Sequence, residues 1–125
     1  MLVLLAALSL HVFTNGGPRD SGHGLIDIAG GKGTITAARR SCIYKLRPEQ
    51  LQRLTGAVDR LKPKTWKPSY SSDCLECAGF TVNLGKTRIT FDGEAALPPD
   101  LERFRKALMR EFDEANKRCP EPKQP

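Results

Sequence analysis

The chain is poor in residues that commonly do chemistry: two histidines, two methionines, one tryptophan, two tyrosines and five phenylalanines among 125 residues. No apolar run reaches the ~18–20 residues that a membrane-spanning helix requires. Neither G-x-G-x-x-G nor G-x-x-x-x-G-K-[ST] occurs, so those two phosphate-binding loops are excluded. The charge is not balanced either, with 20 Lys and Arg against 14 Asp and Glu, a formal net charge of +6. What is present suits one compact domain. The length matches a single unit of ~100–150 residues, and 39% apolar composition supports one modest core and argues against a disordered chain.

A cation surplus is the electrostatic footprint of phosphate binding, but its placement matters more than its total. Residues 32–68 hold ten cations, among them Lys32, Arg53, Arg60, Lys62, Lys64 and Lys67, against only Glu49 and Asp59. The basic character therefore belongs to one third of the chain.

Residues 2–13 are apolar apart from Ser9 and His11, and no charge precedes Arg19. The run resembles the apolar core of a secretory signal, although it lacks the usual cationic start. On that reading residues 1–21 are a removable segment and spacer, membrane contact is confined to it, and the protein is secreted or periplasmic. The competing reading is a buried first strand. The folded domain is then expected over residues 22–118, with 119–125 a proline-rich tail.

In an exported domain, Cys42, Cys74, Cys77 and Cys119 read as a disulfide framework with three open pairings. Zinc would want a second pair beside the single C-x-x-C of Cys74 and Cys77. A thioredoxin-like thiol would want that motif at a helix start, whereas Ala78-Gly79 and a strand pattern follow it.

Leu25–Ile28 and Thr34–Ala37 read as strands joined by Gly30-Gly31-Lys32-Gly33, a hairpin turn whose residues are candidate contacts for a partner. A further strand is expected near residues 41–46. Leu51, Leu54, Val58 and Leu61 form a helical stripe after Pro48. Phe80, Val82 and Leu84 alternate toward Gly85-Lys86, and Thr87, Ile89 and Phe91 toward Asp92, giving a second hairpin. After Leu97-Pro98-Pro99, with Asp100 able to cap, Leu101, Phe104, Leu108, Phe112 and Ala115 mark a long final helix. The order β-β-(β)-α-β-β-α predicts an α+β two-layer sandwich: a mainly antiparallel sheet of four to five strands with two amphipathic helices on one face.

With residues 1–21 removed, His23 would be the only histidine, leaving a serine or cysteine nucleophile without a placed base. No catalytic residue, metal ligand or cofactor site is assigned, and the expected function is binding. Lys62, Lys64, Trp66, Lys67 and Tyr70 interleave cations with aromatics in one loop, a pattern suited to an anionic polymer or acidic partner. Export argues against nucleic acid as that partner. A small rigid domain without catalytic groups suits a binding or inhibitory module, because rigidity lowers the ordering cost of association.

Ile26-Asp27-Ile28-Ala29-Gly30-Gly31-Lys32-Gly33-Thr34-Ile35, the helix opening at Pro48-Glu49 with Leu54, the alternating hairpin, and Leu97-Pro98-Pro99-Asp100-Leu101 together resemble the emfourin family over residues 25–112. That family comprises small inhibitors of thermolysin-type metalloproteases such as protealysin. The resemblance implies a secreted protease as the partner, while the four cysteines and the Trp-containing loop depart from it. No inhibitory residue is carried over.

Overall fold

A computed structural model describes residues 9–14, 24–37, 42–74 and 77–118. Among these residues, seven strands and two α-helices make an α+β fold: β1 Leu10–Thr14, β2 Gly24–Ala29, β3 Lys32–Ala37, β4 Cys42–Lys45, α1 Pro48–Asp59, β5 Ser69–Tyr70, β6 Gly79–Leu84, β7 Thr87–Asp92 and α2 Pro99–Arg118. A 3₁₀ turn, Pro63–Thr65, lies between α1 and β5.

The class agrees with the sequence reading, but the sheet is larger than four to five strands. Its order is β4-β3-β2-β1-β6-β7-β5. All neighbours are antiparallel except β5, which runs parallel to β7 through Ser69 and Tyr70. A two-residue strand leaves no periodicity to read, which is why it escaped prediction.

The largest correction concerns the N-terminal run. Residues 10–14 are the central strand, paired with β2 on one side and β6 on the other. Leu10 and Val12 are fully buried, while His11 and Phe13 point to the opposite face. Leu10–Thr14 thus sit inside the sheet, as the competing reading of a buried strand has it, whereas the sequence reading opened the domain at residue 22. The physical reason is that a charge-free apolar run suits an inner strand as well as a signal. The remaining residues assigned to the segment, 1–8 and 15–21, lie outside the described ones, as does the tail 119–125.

Strand alternation sends Ile26, Ile28, Ile35, Phe80, Val82, Ile89 and Phe91 to one face. There they meet Leu51 and Leu54 of α1 and Leu101, Phe104, Leu108 and Phe112 of α2 in one core. Phe80 and Phe91 stack within it at 5.2 Å between ring centroids. Gly33 belongs to this layer: a β-carbon there would come within 2.8 Å of Leu46 Cδ1 and 3.1 Å of Leu51 Cδ2. Gly30 and Gly31 carry the turn between β2 and β3 at φ +61° and +78°, a conformation glycine adopts without steric cost.

Beneath the helices lie buried polar contacts that the hydrophobic stripes do not announce. Glu111, 2% exposed, accepts from Gln50 Nε2 at 3.2 Å and Arg53 at 3.3 Å, tying α2 to α1. Arg105 is also buried and donates to the carbonyls of Asp92 and Ala95, with Glu102 as its ion-pair partner.

Candidate functional site

Both described helices cover one face of the sheet, leaving the other face open among the described residues, and strand register decides what it displays. One row runs across the whole sheet: Ile43, Thr36, Leu25, Phe13, Thr81, Thr90 and Ser69. Phe13 is 40% exposed and Ile43 68%, two of the three large apolar side chains exposed to this degree among the described residues; the third, Met109, is on α2. The intervening threonines are β-branched side chains with little rotamer entropy to lose. The parallel row is polar: Lys45, Thr34, Asp27, His11, Asn83 and Arg88.

Toward β5 the first row sinks into a shallow groove of about 300 Å³, with Phe13, Thr81 and Thr90 among its lining residues and Ser69, Ser71 and Asp92 beside them. Its rim is held by polar contacts. Asp92 accepts from the Ser72 N–H at 2.7 Å, the Ser72 hydroxyl at 2.9 Å and the Glu94 N–H at 2.8 Å. Burial alone would raise the Asp92 carboxyl, but these bonds outweigh it and hold it below its ordinary value. The Cys74 N–H donates to Ser72 Oγ at 3.1 Å, and Cys74 is bridged to Cys77. The two pairings that separate Cys74 from Cys77 are thereby excluded. The Cys42 side chain and Cys119 lie outside the described side chains.

The basic loop is arranged differently from its sequence pattern. Trp66 is half-buried against the core and donates its Nε1–H to Asp100 Oδ2 at 3.0 Å. The same oxygen accepts from the Lys62 N–H at 2.8 Å. Asp100 lies within the first turn of α2 rather than at its N-cap, and it docks the loop onto the start of the helix. Although burial opposes ionisation, the bonds from Lys62 and Trp66 keep its carboxyl below the ordinary range. Tyr70 packs against the core, and its hydroxyl accepts from the Lys67 N–H at 2.9 Å. The loop's aromatics are thus partly occupied within the fold, Tyr70 also lining the groove described above, whereas Lys62, Lys64 and Lys67 are exposed. In the hairpin turn Gly33 is buried in the core layer, leaving Gly30 and Lys32 exposed.

Sequence reasoning missed Phe13 and His11 because both fell in the run set aside as a leader. The premise that only His23 remains must also be dropped: His11 stands on the central strand opposite Asp27 and Asn83. Its imidazole is exposed and makes no hydrogen bond or ion pair among the described residues. Nor do the described residues contain three His, Cys, Asp or Glu grouped to hold a metal ion. No described helix is long and apolar enough to cross a membrane. Compared with protein-family models and with curated proteins, the chain matches none.

Proposed function

We propose that this protein is an exported, non-catalytic binding module that docks a protein partner on the open face of its sheet. The observation that carries the reading is the placement of Phe13 and Ile43 in one cross-strand row. Exposed aromatic and aliphatic side chains on a rigid sheet, set among threonines rather than charges, make an anchor surface of the kind that dominates interface energetics. The Cys74–Cys77 bridge supports two parts of the reading. It stiffens the segment that rims the groove, lowering the ordering cost of binding. Disulfides also persist in oxidising compartments, in keeping with a secreted or periplasmic location.

The non-catalytic reading draws support from the setting of His11. Its imidazole is exposed and has no hydrogen-bond or ion-pair partner among the described residues, whereas a catalytic base is normally oriented by a third group. The partner class we propose is a secreted metalloprotease of the thermolysin type, which rests on the resemblance to emfourins.

The test is to titrate the folded protein into a thermolysin-type protease and follow cleavage of a peptide substrate. Stoichiometric loss of activity is expected, with Phe13→Ala weakening inhibition by about 30-fold, the loss of a ~2 kcal/mol anchor. Undiminished protease activity overturns the inhibitor reading. Full inhibition by folded Phe13→Ala and Ile43→Ser overturns the choice of face.

A further inference from the structure

The helical layer carries a second surface, with a chemistry opposite to that of the open face. Between α1 and α2 lies a groove of about 310 Å³ whose walls include Arg53 and Arg60 from α1 and its end, and Arg103 from α2. Its floor is Gly56 and Ala57. A β-carbon on Gly56 would meet nothing within 4 Å, so this helical glycine, which costs ~1 kcal/mol relative to alanine, leaves the groove wide.

The three guanidiniums are not equivalent. Arg53 is held by buried Glu111 at 3.3 Å and by Glu114 at 3.9 Å. Arg60 and Arg103 are exposed and make no ion pair or hydrogen bond through their guanidinium groups among the described residues. Asp100 is the acid in the groove wall, and its Oδ2 is already occupied by the Lys62 N–H and Trp66 Nε1–H. Through Asp100 the groove leads into the loop that bears exposed Lys62, Lys64 and Lys67.

We propose that this arginine groove, continued by the three lysines, binds an anionic polysaccharide. Two unspent guanidiniums offer planar forks for sulfate or carboxylate groups. A succession of separated cations suits a chain of repeating anions better than one small ion. The aromatic side chains argue against single-stranded nucleic acid. Trp66 and Tyr70 are each partly buried against the core and hydrogen-bonded within the fold, which limits the ring face left for stacking on bases. This surface lies on the layer opposite the proposed protein-docking face and does not depend on it.

The experiment measures binding of the folded protein to dextran sulfate and to polygalacturonate at 150 mM salt, with single-stranded DNA as competitor. Binding to at least one polysaccharide is expected, and which one binds identifies the preferred anion. Arg60→Gln/Arg103→Gln should weaken it at least tenfold without altering thermal stability. The charge-matched control Lys86→Gln/Lys117→Gln, whose residues lie outside the groove, should weaken it less than threefold. No binding to either polymer, equal losses in the two double variants, or displacement by DNA at equal charge concentration would each overturn the proposal. Phe13→Ala should leave polysaccharide binding unchanged, so failure here is separable from failure of the docking face.

Discussion

Deleting residues 1–14 should abolish folding, because the segment supplies the strand on which both halves of the sheet meet. Leu10 and Val12 are completely buried, and Thr14 is 7% exposed. Burying an aliphatic side chain of this size is worth ~1.5–3 kcal/mol, so the two together account for about 3–6 kcal/mol. The deletion also separates β2 from β6 and opens Ile26, Ile28 and Val82, all at most 1% exposed, to water. Against a typical total stability of ~5–15 kcal/mol, little or nothing remains. Circular dichroism with thermal and urea unfolding of the full chain and the deletion decides the matter. The deletion should show no cooperative transition. Leu10→Ala provides the graded version: a cost of ~2–5 kcal/mol, or roughly 8–20 °C in Tm. A deletion variant that melts cooperatively within about 5 °C of the full chain would refute the reasoning and restore the removable-segment reading. The intact mass of the natively produced protein is a parallel check, since it should include Leu10–Thr14.

Two further outcomes test the interior and the groove rim. Gly33→Ala should destabilise the fold by ~1–3 kcal/mol in denaturant melts, since its added carbon meets Leu46, Ile28 and Leu51 at 2.8–3.1 Å; unchanged stability would show that the layer yields at no cost. Asp92 and Asp100 have folded-state pKa values below the ordinary ~3.9, so their ionised forms contribute stability that is present above that value and is lost as pH falls through the folded-state values. Stability should therefore decline on acidification below about pH 4, and Asp92→Asn/Asp100→Asn should flatten that limb; an unchanged pH profile in the double variant would show that these carboxylates do not carry it.

The parts of the fold that were legible in sequence are those whose signal is local. Phe80–Leu84 and Thr87–Asp92 alternate around Gly85, whose φ of +58° is the left-handed conformation the turn needs. The stripes of α1 and α2 similarly announce their own buried faces. Residues 10–14 could not be assigned in that way, because five residues of alternation lie inside a longer apolar run. Their central position depends on pairing with residues 24–28 and 80–84, information that a local window does not hold. The same limit hid the candidate site. Ile43 and Phe13 are 30 positions apart and fall in one row, with Thr36 and Leu25 between them, only through the registers of β1–β4. Buried Glu111 was equally illegible, since its partners Gln50 and Arg53 lie 61 and 58 residues away.

Placing the charges in three dimensions changes what the net charge of +6 means. The basic third of the chain does not form one uniform patch. Lys45 lies in the polar row of the open sheet face, Arg47 pairs with Glu49, and Arg53 is committed to Glu111. The exposed cations clustered on and beside the helical layer are Arg60, Arg103, Lys62, Lys64 and Lys67. The apolar row lies across the sheet from them. If the two faces serve different ligands, as the proposals hold, the core separates Phe13 and Ile43 from Arg60 and Arg103. Perturbations on opposite faces should then add, because sites that share no contacts couple weakly. Combining Phe13→Ala with Arg60→Gln/Arg103→Gln should weaken protein docking and polysaccharide binding each by its own factor. A factor that changed more than about threefold on combination would mean instead that the two faces report on one another through the core.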